Sequence, residues 1–365
     1  MKKISTIINV CLNDECADRD DYLERYGILK DVINGICDEW ERFNLDAIVF
    51  PGGFWHRTKY IGNRDYKYRK ESLEKETFSR KAIAAVKKLQ SEGFGKPLLV
   101  AGIDSCSHSK PDGFDIYKTK FGKNARSFSK RPKNTKIYGD QLCVAWSSKG
   151  IAGIGRKVFP VQPKLGKNLK DFDENYQDVD APYYVTYARD FYDPKRVVRL
   201  ESGRNALLCA CYDIFGCTEK YNPREDRTSQ IEWLDDGTGK VIHVRSERNI
   251  IRKYVSKFNE LIEKVDTALV SIHGFNSATG SNYTERHGIA ATSAALGGGM
   301  VIGSAHFKEC LPSDENKATL ASYNISKRYL NMKNKNKRKL KNLMPKRSLW
   351  MESSEDILIR LFECP

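Results

Sequence analysis

Residues 45–53 read LDAIVFPGG. Ala47, Ile48, Val49 and Phe50 form a short continuous apolar run, and Pro51, Gly52 and Gly53 stop it. Such a run, with no polar face, marks a strand buried on both sides whose C-terminal end opens into a loop. Upstream, Tyr22, Tyr26, Leu29, Ile33, Ile36, Trp40 and Phe43 recur at steps of three and four and predict a helix. Asp20 and Asp21 suit its N-terminal end, where the helix dipole favours negative charge. Further upstream, residues 3–12 are β-branched and apolar and predict the first strand. Downstream, Phe78, Ala82, Ala85, Val86 and Leu89 predict a helix over residues 72–91, ended by Gly93 and Gly95. A buried strand follows at 97–103, PLLVAGI. The order β-α-β-α-β predicts a layered α/β fold.

The middle of the chain changes style. Residues 141–147 and 150–158 predict a hairpin turning around Ser148, Lys149 and Gly150. Residues 164–196 are polar and irregular and read as a long loop or insertion. A strand at 205–211 (NALLCAC) ends at Tyr212 and Asp213, and residues 217–240 are again polar. A helix over 246–264, a strand at 267–272 (TALVSI), a helix over 284–296 and a strand at 300–305 (MVIGSA) follow. The sequence predicts a helical or disordered basic segment over 326–347 and a short docking helix over 355–362.

At 365 residues, with 40% hydrophobic and 11% aromatic residues, the chain can bury a substantial core and is not a disordered one. No run approaches the ~20 apolar residues of a membrane-spanning helix. MKKISTIINVCLN is a poor signal peptide, because Asn9 breaks its apolar run. The ten cysteines form no CxxC pair and have no zinc-finger spacing, so they read as reduced thiols in a cytoplasmic protein with no metal. The net charge of +15 is uneven: residues 316–351 carry 11 Lys and Arg and no Asp or Glu. Residues 116–139 carry 8 Lys and Arg, also without an acid. These stretches read either as solvated surface or as patches for a polyanion such as nucleic acid. From Trp55 to Lys70, tyrosines alternate with Lys and Arg. That stretch reads as a surface loop whose tyrosines pack on the core, or as the mouth of a pocket.

RNALLCACYDIFG (204–216) resembles the nucleophile strand of the nitrilase, or carbon–nitrogen hydrolase, superfamily. LDAIVFPGG resembles its first-site strand, WSSKGIAGIGRKV (146–158) its lysine segment, and TALVSIHGFN and GGGMVIGSAHF its two late strands. The likeness follows element order over residues 1–310. It implies an α/β fold, a nitrilase-like four-layer α-β-β-α sandwich over 1–315 followed by a basic C-terminal extension over 316–365, and a homo-oligomer. It also implies hydrolysis of a small amide or nitrile without any cofactor. Taken alone, Cys211 and Cys209 read as small buried residues. The order of the segments makes Cys211 the nucleophile and Lys157 the group that lowers its pKa and stabilises an oxyanion.

The family's third residue, a Glu, should follow Phe50-Pro51. Gly52 and Gly53 stand there instead, and the first carboxylate after Pro51 is Asp65. A different base is then needed, and an imidazole suits proton transfer near neutral pH. His273, just past TALVSI, is the candidate base. His306 and His56 could also reach the thiol, and with Tyr212 they are the candidate substrate-binding residues. Asp213 reads as a tie for the loop after the elbow. The other reading is a catalytically altered nitrilase-fold subunit that binds nucleic acid or a protein partner through residues 316–351, as in an anti-phage system.

Overall fold

The computed structural model describes residues 4–13, 21–42, 44–57, 66–107, 138–158, 183–184, 188–211, 213, 232–234, 241–243, 248–276, 283–308, 320–328, 345–350 and 357–364. The first part of the chain gives β1 (Ser5–Asn13), α1 (Tyr22–Glu39), β2 (Ala47–Val49), β3 (Trp55–Arg57), α2 (Tyr66–Glu74), α3 (Thr77–Ser91), β4 (Leu98–Ser107), β5 (Tyr138–Ser147) and β6 (Gly150–Arg156). Then come β7 (Tyr183–Tyr184), α4 (Ala188–Phe191), β8 (Val197–Arg199), β9 (Asn205–Ala210), β10 (Glu232–Leu234), β11 (Val241–His243) and α5 (Arg248–Ile262). Last are β12 (Thr267–Asn276), α6 (Tyr283–Ala295), β13 (Met300–Lys308), β14 (Ala321–Ser322), β15 (Arg347–Trp350) and β16 (Ile357–Cys364).

The main path of the sheet runs β6-β5-β4-β2-β1-β13-β12-β9-β8. β1 meets β13 at two register positions only, Leu12 with His306 and Asn13 with Phe307. At that seam the sheet folds into two facing halves. Ile7, Val49, Val100 and Cys143 from one half share a core with Leu208, Leu269 and Ile302 from the other. Polar bonds cross the same interface: Asn9 Nδ2 donates to Gly303 O at 2.7 Å, and Ser271 Oγ donates to Phe50 O at 3.0 Å. Strand alternation sends the intervening residues outward. Ile8, Ile48, Leu99 and Val144 pack under α1 and α3, while Leu207, Val270 and Val301 pack under α5 and α6. The layers are helix, sheet, sheet, helix, the fold class expected from the sequence. Asp21 caps α1, accepting from Leu23 and Glu24 N–H.

Several expectations change. The helix expected over 72–91 is two helices, α2 and α3, because the chain breaks at Lys75–Glu76, where Glu76 N–H bonds back to Leu73 O. The loop expected over 55–70 contains β3 and the start of α2. Its Trp55 is buried and its Tyr66 packs on the core, while Tyr68 is exposed. The stretch 164–196 holds β7, α4 and a 3-10 turn at Pro194–Arg196. The docking helix expected over 355–362 is instead the strand β16, paired antiparallel with β1 from Leu12–Ile357 to Ser5–Cys364. Its run ILIRLF puts apolar residues on both faces, broken only by Arg360, and periodicity cannot assign it. The free side of β1 decides, because a buried strand needs a partner for its backbone groups. The sheet therefore runs across the boundary expected at 315. Most of the basic stretches, residues 116–137 and 329–344, lie outside the described residues.

Because β16 is core, Ile359→Ala, at a fully buried position, is expected to cost about 3 kcal/mol in urea unfolding. Ile4→Ala, at an exposed position, is expected to stay within about 0.5 kcal/mol.

Candidate active site

Register lines up one row of polar groups across the first half of the sandwich. His56 on β3, Asp104 on β4 and Gln141 on β5 are ladder partners of one another. Lys157, just past β6, donates its backbone N–H to Gln141 O at 2.9 Å and its ammonium to Gln141 Oε1. Val100 belongs to the core between the halves, so by alternation Gly102 and Asp104 face the second half. Opposite them stands His273, on the same face of β12 as Leu269 and Ser271.

His273 Nε2 lies 2.8 and 2.9 Å from the two Asp104 oxygens. A carboxylate only accepts, so Nε2 carries a proton. The other ring nitrogen, Nδ1, is buried and makes no full hydrogen bond in this resting geometry. The room for this ring comes from two glycines. A Cβ on Gly52 would stand 2.7 Å from His273 Nδ1 and 2.9 Å from its backbone N. A Cβ on Gly53, whose φ is +61°, would stand 2.8 Å from Asp104 Oδ2. Gly52 N–H also donates to Ile272 O at 2.9 Å, which ties the end of β2 to β12.

Cys211 follows the last residue of β9 with φ +48°, a left-handed conformation that costs a non-glycine residue about 1–2 kcal/mol. Three bonds hold this elbow. Cys211 N–H donates to Ser271 O at 2.8 Å. Two residues on, buried Asp213 accepts from Val158 N–H at 2.9 Å and from the buried Arg196 guanidinium at 2.9 Å. Val158 adjoins Lys157, so Asp213 fixes the lysine segment against the cysteine elbow. The Lys157 segment is braced from behind as well. Arg156 pairs with Asp190 at 2.8 Å, and Arg69 with Asp190 at 3.0 Å.

Electrostatics couple these groups. Burial pushes the Cys211 thiol up, but the Lys157 ammonium, then the imidazole and backbone N–H of His273, outweigh it and hold the thiol at about 7. Burial pulls His273 down, but the Asp104 carboxylate, then Cys211, push it up to about 9. Burial pushes Asp104 up, yet His273, with His56 and Lys157, keeps it below the usual carboxylate value. Between about pH 7 and 9 the favoured state is a thiolate beside an imidazolium, braced by a carboxylate. The contrast is Cys143, whose thiol burial raises to about 11.

Among solved structures, the chain is similar to a carbon–nitrogen hydrolase from Helicobacter pylori G27, with 11% identity, a TM-score of 0.43, and coverage of 98% of this chain and 89% of that one. It is also similar to an amidase from Nesterenkonia sp., with 10% identity, a TM-score of 0.36, and coverage of 83% and 76%. No family model and no curated protein matches the chain.

Of the residues picked from sequence, Cys211, Lys157 and His273 converge. His56 is exposed at the rim, and its charge reaches Asp104. His306 is fully buried behind His273, a position that keeps it from touching a substrate. Tyr212 lies outside the described residues. Asp213 ties the elbow down, as expected. Sequence reading missed Asp104. The strand expected over 97–103 stops one residue short of this carboxylate. The available signal was an acid at the C-terminal end of the strand next to the one that ends in Pro-Gly-Gly. Among the described residues, no group of three or more His, Cys, Asp or Glu is placed to hold a metal ion.

Gly52→Ala is expected to push the His273 ring off its place. Iodoacetamide labelling of Cys211 at pH 7 should fall about tenfold or more, as thiolate is lost, in a chain that still folds. Labelling as fast as in the parent chain would show that the ring does not need this space.

Proposed function

We propose that the chain is a thiol-dependent hydrolase of non-peptide C–N bonds, acting on small amides. The observation that carries this reading is the His273 imidazole held between Asp104 and Cys211, with Lys157 acting on the same thiol. Shifted groups of opposite kinds gathered in one place are what nucleophilic catalysis requires. A fold kept only as a scaffold has no use for a thiol lowered against its own burial, which weighs against the binding-subunit reading.

The steps follow from the groups present. The Cys211 proton resides on His273 Nδ1, the ring nitrogen that Asp104 leaves unused. The thiolate attacks the amide carbonyl carbon, and the C=O electrons move to oxygen. The Lys157 ammonium faces that negative charge in a low-dielectric setting, where it is worth more than in water. The adduct collapses as the C–N bond breaks, and Nδ1–H delivers its proton to the leaving nitrogen. This releases ammonia or an amine and leaves a thioester on Sγ. His273, now neutral, takes a proton from water as the water attacks the thioester. Breaking the C–S bond then frees the carboxylic acid and restores the ion pair. Asp104 holds Nε2–H, so that Nδ1 is the nitrogen left to exchange a proton with the thiol, and it stabilises the ring's cation. An amide fits better than a nitrile, because its leaving nitrogen needs the proton that the imidazolium holds.

The test is ammonia release across a panel of small aliphatic amides, with intact-mass detection of an acyl group on Cys211. Cys211→Ala and His273→Leu are each expected to lower turnover by about a thousandfold or more. Turnover traced against pH should rise through about 7, where the thiolate forms, and fall through about 9, where the imidazolium is lost. Ammonia release that survives Cys211→Ala would contradict the assignment.

A further inference from the structure

The ladder between β12 and β13 slips between Ile272 and Phe275. Ile272 faces Ala305 and Phe275 faces Phe307, so His273 and Gly274 together oppose the single residue His306. This is a β-bulge, which disrupts the ladder at the residue it displaces. The His306 side chain supplies a bond there, with Nδ1 lying 2.9 Å from His273 O. A carbonyl only accepts, so His306 Nδ1 carries the proton. Its Nε2 lies 3.3 Å from Arg25 Nη1, a group that only donates, so Nε2 is unprotonated. His306 is thereby held neutral in one tautomer, between a cation and a carbonyl. Both side chains are fully buried. Arg25 comes from α1, and its guanidinium lies 5.8 Å from the centroid of the Phe54 ring. Phe54 directly follows the two glycines that make room for the His273 ring.

We propose that Arg25 and His306 are positioning residues that fix the bulged backbone at His273, and with it the place of the imidazole that acts on Cys211. Neither touches the reacting atoms. The hydrolase reading assigns His273 its role, and this inference rests on it. One peptide plane of His273 is pinned through Ile272 O by Gly52 N–H, and the next through His273 O by His306. With the second tie cut, the backbone at His273 is pinned on one side only, and the ring leans on Asp104 alone for its orientation. Among the described residues, the charged and titratable groups around His273 are Asp104 and His56 from β4 and β3, Lys157 after β6, Cys211 after β9, and His306 with Arg25 behind it. None of these except His306 and Arg25 is altered by the variants below.

The experiment is the pH profile of Cys211 alkylation by iodoacetamide in the full-length chain, read by mass spectrometry at that residue. The thermal melt of each variant serves as the fold control. His306→Leu removes the donor, and labelling at pH 7 is expected to slow about fivefold, equivalent to a rise of about one unit in a thiol midpoint that starts near the assay pH. His306→Asn keeps an N–H donor close to the place of Nδ1 and should stay within about twofold of the parent. Arg25→Met, read in the same way should His306→Leu not fold, leaves the His306 tautomer unenforced and should also slow labelling. A folded His306→Leu or Arg25→Met chain that labels at the parent rate would overturn the proposal alone. So would a His306→Asn chain as slow as His306→Leu, since volume rather than the hydrogen bond would then be decisive. A parent Cys211 no more reactive than the other thiols would overturn the hydrolase reading and this inference with it.

Discussion

One volume can hold one side chain. At the end of β2 the space that a side chain on residue 52 would fill is taken by the His273 ring, 2.7 Å from where the Cβ would begin. The resemblance to carbon–nitrogen hydrolases places a carboxylate side chain on this strand end. Here two glycines stand on it, and the His273 imidazole, from β12 on the opposite half of the sandwich, fills the space. Asp104, the neighbouring residue on β4, then holds the far side of that ring. The glycines, the imidazole and the aspartate form one unit, since each is where it is because of the others.

That unit is useful only if the two halves of the sandwich keep their spacing. Cys211 and His273 come from one half, Asp104 and Lys157 from the other. Three ties span the gap close to the chemistry: Gly52 N–H to Ile272 O, Ser271 Oγ to Phe50 O, and Asp213 to Val158 N–H. All are short-range and directional, and they lie at the strand ends that carry Cys211, Lys157 and His273. Removing a partner from such a buried tie leaves an unsatisfied polar group, which costs about 1–3 kcal/mol. Deeper in the sandwich, small residues allow the halves to approach closely. A Cβ on Gly153 would meet Lys195 O at 2.9 Å.

Much of this was legible in the sequence. The apolar runs of β2 and β4 and the stripes of α1 and α3 carry strong periodic signals, because burial on one face or two writes itself into residue type. Cys211 and Lys157 could be picked from the order of segments, and His273 only as one of three candidate histidines. Asp104 could not, because its role arises from register between β3, β4 and β5, and register is a long-range property. His306 could be picked out as a histidine at a strand end, but not as one whose ring is taken up by the His273 carbonyl and Arg25. Only the bulge at His273–Gly274 and the arrival of Arg25 from α1 decide that. β16 differs from the expected helix because a six-residue run with five apolar residues is as good a helix as a strand until the open side of β1 selects between them.

The most direct test follows the His273 ring itself, by nitrogen-15 NMR of the imidazole in the full chain as pH is raised from 5 to 10, in the parent and in Cys211→Ala. In the parent the ring is expected to stay doubly protonated to about pH 9, and to lose its proton at lower pH once the thiolate is removed. A ring that titrates near the ordinary 6.5, unchanged by Cys211→Ala, would mean that no thiolate–imidazolium pair exists and that the site is not assembled for catalysis.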